Sequence, residues 1–154
     1  MTPGLAEEID ILLVEDNPND AEFALRALRK AGSAPRILHL DDGAKALDYM
    51  FGTGSWAGRN VQSQPRVVLL DLKLPKFDGL EVLRRLKGDP RTSAVPVVIL
   101  TSSREARDLD ESYRDGVNSY VVKPVNFEAF TRALSDLARY WVEINQVPTR
   151  LPGA

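Results

Sequence analysis

Four apolar residues in a row, Val67-Val68-Leu69-Leu70, run straight into a carboxylate, Asp71, and then into Leu72-Lys73-Leu74-Pro75. An unbroken apolar run of this length reads as a strand buried on both faces. Such a strand belongs in a parallel sheet with helices on each side, and the carboxyl ends of its strands carry the ligand site. An acid at that end serves as a nucleophile, a metal ligand or a helix cap. The rest of the chain decides among the three.

The same alternation of apolar runs and amphipathic stretches extends along the 154 residues. Residues 9–14 form a first strand, closed by Glu15-Asp16. Asn17-Pro18-Asn19-Asp20 supplies capping chemistry and an early proline, and Ala21, Ala24, Leu25 and Leu28 lay one apolar stripe on the helix that follows, which Gly32 ends. Residues 36–40 form a second strand, and Asp41-Asp42-Gly43 opens a helix with Ala44, Leu47 and Met50 inward. Residues 52–65 break the rhythm and read as an extended surface loop. Its Gly52-x-Gly54 follows no strand and is not completed to a dinucleotide fingerprint.

After the strand at 66–70 and a turn at 76–79, Leu80, Leu83 and Leu86 mark a third helix. Residues 95–100 make a fourth strand ending on Thr101, with Ala106, Leu109 and Tyr113 on the next helix. Residues 119–122 make a fifth strand ending on Lys123-Pro124. Phe127, Phe130, Leu134, Leu137, Ala138 and Trp141 stripe a long fifth helix. Five strand–helix pairs with right-handed crossovers predict an α/β fold. The expected sheet is doubly wound, five-stranded and parallel, in the flavodoxin-like order 2-1-3-4-5. The organisation is an N-terminal arm over 1–8, one domain over 9–145 and a tail over 146–154.

Composition excludes several classes. The formal net charge of −2 gives no general attraction to nucleic acid or to an anionic membrane. The absence of cysteine removes disulfides, thiolate metal sites and thiol catalysis. No apolar run approaches the ~20 residues that span a bilayer, and residues 1–8 do not resemble a secretory leader. A cytoplasmic protein is expected.

In the predicted order, strands one, three, four and five are neighbours. Their carboxyl ends carry Glu15 and Asp16, Asp71, Thr101 and Lys123. Carboxylates this close raise one another's proton affinity, and a divalent cation relieves the repulsion. An all-oxygen donor set suits Mg²⁺. Asp16 and Asp71 are the expected direct ligands, Glu15 acts through water, and the Lys73 carbonyl completes the protein's share. The one histidine, His39, falls within the second strand and reads as a sheet residue. What remains is a carboxylate nucleophile facing a hydroxyl and an ammonium, a set suited to transfer of a phosphoryl group onto Asp71.

The residues Val14-Glu15-Asp16-Asn17, Leu70-Asp71-Leu72-Lys73-Leu74-Pro75, Asp78-Gly79, Thr101-Ser102 and Val122-Lys123-Pro124 resemble those of response regulator receiver domains. The resemblance implies a two-component phosphorelay protein. Asp71 would accept a phosphoryl group from a histidine kinase's phosphohistidine, with Mg²⁺ at Glu15, Asp16 and Asp71 and phosphate contacts from Thr101 and Lys123. It further implies a cis Lys123-Pro124 peptide and a switch in which Thr101 moves and Tyr120 turns inward. That switch would alter the face of the fourth helix, fifth strand and fifth helix; the bland alternative for Tyr120 is a strand-end aromatic. The long loop and the ending at 140–145 resemble stand-alone regulators of phytochrome-type or hybrid kinases, with no effector domain expected and a homodimer as the expected assembly. The competing enzyme reading, an aspartate-nucleophile phosphatase, needs a second acid two residues after Asp71, where Lys73 stands.

Overall fold

A computed structural model describes residues 8–32 and 34–148. Of the expected arm over 1–8 only residue 8 is described, and of the expected tail over 146–154 only 146–148. In chain order the elements are β1 (Ile11–Val14), α1 (Pro18–Arg29), β2 (Ile37–Leu40), α2 (Gly43–Phe51), β3 (Val67–Leu70), α3 (Gly79–Lys87), β4 (Val97–Thr101), α4 (Ala106–Arg114), β5 (Ser119–Val122) and α5 (Phe127–Ala138). A 3₁₀ turn at Gly54–Trp56 and a π-helical segment at Arg139–Ile144 complete them. All strand pairs are parallel, in the order β2-β1-β3-β4-β5, as the alternation predicts.

Every residue of β1, β3 and β4 is buried, whereas β2 and β5, at the sheet's edges, are half-buried throughout. One layer of core joins β1 and β3 to α2 and α3 through Leu12, Val68, Met50 and Leu83. The other joins the opposite faces to α1 and α5 through Leu13, Leu69, Leu28 and Leu134. Four of the five helices start on a side-chain cap, the first two of them within the capping sequences expected. The side chains of Asn17, Asp42, Asp78 and Asn126 each accept from backbone N–H groups of the first turn they precede. Gly79 is required by close approach, because a Cβ there would run into the Asp71 carbonyl and the Leu72 backbone.

The apolar residues that mark α4 in the sequence do not face the core: Leu109 and Tyr113 are 39% and 53% exposed, and Ser112 is the buried residue of α4. The Ser112 hydroxyl donates back to the Asp108 carbonyl at 2.7 Å, which satisfies it in its buried position. Phe127, expected in the α5 stripe, is 68% exposed, and it meets Phe23 of α1 edge-on. The fifth helix also stops at Ala138 and changes to π pitch before Trp141.

The extended loop closes over the end of α2. Gly52, at φ 67°, ends that helix in the left-handed region. Arg59 then turns back beneath it and is buried. Its guanidinium donates to the carbonyls of Tyr49 (2.6 Å), Met50 (3.3 Å) and Ser63 (2.7 Å) and to Gln64 Oε1 (2.7 Å). Carbonyls at the helix end thereby gain a charged donor, beside the Gly52 amide on Tyr49 (3.3 Å) and Gln64 Nε2 on Met50 (2.9 Å).

Candidate functional site

Strand register assembles the site. Val14 is level with Leu70, so the residues that follow, Glu15 and Asp16 on one strand and Asp71 on the next, leave the sheet side by side. The Asp71 amide still donates to the Val14 carbonyl at 3.2 Å, which fixes the two strand ends together. Thr101 is level with Val122. The next residue, Lys123, donates from its amide to the Thr101 carbonyl at 2.7 Å. Five residues from four strand ends therefore meet at one edge.

Lys123 Nζ occupies the middle of the cluster. It lies 2.5 Å from Glu15 Oε1, 3.2 Å from Asp71 Oδ2 and 3.3 Å from Asp20 Oδ2. Burial pushes the Glu15 carboxyl up to about 7, and the Asp71 charge adds to that, against the pull of Lys123. Burial would depress the Lys123 ammonium, but its bond to Glu15 and the charges of Asp71 and Glu15 outweigh this and hold it above the ordinary lysine range. Lys123 thus stays charged as the built-in counter-ion of an acidic site.

Carboxylate oxygens of Glu15, Asp16 and Asp71 all lie within 4.8 Å of one another. Asp16 is exposed and makes no side-chain hydrogen bond or ion pair among the described residues. Asp71 Oδ1 carries only a long bond, 3.3 Å, from the Lys73 amide. One ammonium faces more carboxylates than it neutralises, and unengaged oxygens remain on them. The donor set, all hard oxygen and partly exposed, fits Mg²⁺. Lys73 stands at the rim, next to Asp71.

Thr101 is buried, and its hydroxyl oxygen accepts from the Ser103 amide at 3.3 Å. Ser103 is also bonded through its other polar groups: its hydroxyl donates to Asp108 Oδ2 at 2.5 Å, and its carbonyl accepts from the Tyr120 hydroxyl at 3.2 Å. Burial raises the Tyr120 phenol above its ordinary value. His39 Nε2 is 2.8 Å from the Glu15 carbonyl, so the imidazole supports the site's backbone from β2.

The Lys123–Pro124 peptide, expected cis, is trans; no cis peptide occurs among the described residues. The trans form is intrinsically favoured by ~0.5–1 kcal/mol, and with it Lys123 already reaches all its partners. The sequence reading missed Asp20 and Arg59. Asp20 was legible only as part of a capping sequence, although it stands one helical turn after Asp16 on the helix that begins at the site. Arg59 had no signal beyond a lone arginine in a polar loop.

The response regulator receiver domain family matches residues 11–135. The probable methanogenesis regulatory protein FilR2 of Methanothrix harundinacea is 45% identical over 138 residues, covering 90% of this chain and 86% of its own. Response regulator Rcp1 of Synechocystis is 33% identical over 138 residues, covering 90% and 92%. A crystal structure of the Mn(2+)-bound form of response regulator Rcp1 superposes with a TM-score of 0.83 at 32% identity, covering 91% of this chain and 99% of that one. The bacteriophytochrome response regulator AtBRR is 52% identical, with a TM-score of 0.71 over 91% of this chain and 99% of its own. No helix among the described residues is long and apolar enough to cross a membrane.

Proposed function

The chain belongs to the response regulator receiver domain family, and we propose that Asp71 is its phosphoacceptor, supplied by the phosphohistidine of a sensor histidine kinase. The observation that carries this reading is the position of Lys123 Nζ, 3.2 Å from Asp71 Oδ2, with Glu15 and Asp16 alongside. An Asp71 oxygen forms the new P–O bond as the donor's P–N bond breaks, and the electron pair leaves with the imidazole nitrogen. Lys123 neutralises charge on the equatorial oxygens, and the Thr101 hydroxyl donates to one of them. Glu15, Asp16, Asp71 and the Lys73 carbonyl would hold Mg²⁺, whose contribution when bound is to neutralise phosphoryl charge.

The acyl phosphate carries about −1.5 to −2 of charge where the carboxylate carried −1, and it adds acceptor oxygens. Thr101 and Tyr120 are the switch residues in this reading, because both are bonded to Ser103 and so sense the same loop. The readout face is α4, β5 and α5, where Leu109 and Tyr113 of α4 are exposed; a homodimer through this face is the proposed assembly. A phytochrome-type kinase is the proposed donor, on the likeness to AtBRR. Lys73, standing where a phosphatase needs its second acid, argues against steady turnover.

The test is mass spectrometry after incubation with Mg²⁺ and acetyl phosphate. A gain of one acid-labile phosphoryl group is expected, absent with EDTA and absent in Asp71→Asn. Phosphorylation that persists in Asp71→Asn would overturn the assignment. Transfer from purified phytochrome-type kinases, measured against other histidine kinases, then tests the partner.

A further inference from the structure

An ammonium has three protons to donate. At Lys123 the three acceptors come from two directions: Glu15 and Asp71 from the sheet edge, and Asp20 from the first turn of α1. Helix capping does not use the Asp20 side chain. Asn17 Oδ1 already accepts from the amides of Asn19 and Asp20, at 2.9 and 3.1 Å. The Asp20 carboxylate instead reaches Lys123, which is only 10% exposed, while Asp20 itself is 44% exposed at the mouth of the cleft.

We propose that Asp20 is a positioning residue for Lys123, drawing the ammonium toward α1 and adding a fourth carboxylate charge at the cleft mouth. Asp20 thereby balances the cleft's affinity for a divalent cation against its reactivity toward an anionic phosphodonor. The cation is drawn by each carboxylate, whether or not it is a ligand, and the phosphodonor is repelled by each. Holding Lys123 between Glu15 and Asp20 also keeps part of its charge off the Asp71 side. Removing the Asp20 charge therefore weakens cation binding and speeds phosphoryl acceptance, two effects of opposite sign. An acid that merely favours the N-terminus of a helix changes stability and neither of these.

The experiment compares wild type, Asp20→Asn and Asp20→Ala, all expected to fold because the position is half-exposed. Calorimetry gives Mg²⁺ affinity without phosphodonor. Initial rates with acetyl phosphate at saturating Mg²⁺ give acceptance. NMR of the metal-free protein gives the exchange of the Lys123 Nζ protons with water. Both variants should bind Mg²⁺ about threefold more weakly and accept phosphate about threefold faster, as expected for a partly exposed charge. Both differences should shrink at ~0.5 M salt, where screening is short-ranged, and Nζ exchange should accelerate. Unchanged Mg²⁺ affinity and Nζ exchange, with only a shift in melting temperature, would sink the inference. So would a loss of both affinity and rate, since Asp20 would then be part of the required machinery. The rate arm rests on the phosphoacceptor reading. A wild type that binds Mg²⁺ but accepts no phosphoryl group overturns that reading, and calorimetry and exchange still decide the role of Asp20.

Discussion

Two lysines in this protein show how the same side chain is used in opposite ways. Lys123 is surrounded by acids, and Glu15 beside it is only 4% exposed. Removing one partner of such a pair strands the other, at a cost of ~3–5 kcal/mol in well-buried cases. Lys123→Met should therefore lower the unfolding free energy measured with urea in EDTA. The loss should be larger at pH 8 than at pH 6: the Glu15 carboxyl lies at about 7 with Lys123 pulling it down, so without that ammonium it rises further, and protonation relieves the stranded charge more fully at the lower pH. Lys87 has no acid among its bonding partners in the described residues. Its Nζ donates to the Ser93 and Val95 carbonyls and to Asn118 Oδ1, at 3.1, 2.8 and 2.9 Å, and burial brings its pKa down to about 8. Between that value and the ordinary 10.5 the unfolded chain binds the extra proton, so stability from this group rises with pH across that window. Below pH 8 the cost of burying the charge is present in full. Urea unfolding at pH 7.5 and 10 should show this rise in wild type relative to Lys87→Met; equal slopes in the two proteins would refute it.

At the scale of elements, the β4–α4 connection is a junction rather than a spacer. Ser103 bonds Thr101 with its amide, Asp108 of α4 with its hydroxyl and Tyr120 of β5 with its carbonyl. Ser103→Ala and Asp108→Ala should each destabilise the fold. The double variant should lose less than the two together, with a coupling of ~0.5–3 kcal/mol in a double-mutant cycle; strict additivity would mean the short contact carries no energy. The 52–65 extension is likewise organised by one side chain. Arg59→Ala leaves the Tyr49 and Met50 carbonyls without that donor. It should cost about 2–3 kcal/mol and open the loop to protease, as limited digestion would reveal. Neither junction was legible in the sequence. The three partners of Ser103 lie 2, 5 and 17 positions away, and only the packing of two elements on a third brings them together. Which way α4 faces was not legible for a related reason: its apolar residues mark a helix, but which side is buried is set only when the helix packs.

Across the whole molecule, burial is graded from the centre of the sheet outward. β1, β3 and β4 are buried at every position, while β2 and β5 are half-buried. Amide hydrogen exchange should be slowest in the three central strands, whose opening requires loss of both core layers. It should be faster in β5 and in α4, which buries a single serine. Central strands exchanging as fast as α4 would contradict this order. The least protected region is then the face proposed to carry the signal, and the phosphoacceptor stands on the most protected one. A rigid strand end holds the reacting oxygen in place, while a lightly packed helix can rearrange at small cost.

By itself the sequence determined the strands, their order and the residues at their carboxyl ends, because apolar runs long enough for a two-sided core admit few parallel arrangements. It thereby brought Glu15, Asp16, Asp71, Thr101 and Lys123 to one edge, and the structure places them there. Only the tertiary structure decided that Asp20 shares the lysine, that Ser103 links Thr101 to Tyr120, that Arg59 closes the end of α2 and that Lys123–Pro124 is trans. Periodicity reports which side of an element faces the core. The direction of a polar side chain depends on partners distant in the chain, and those are set when the layers pack.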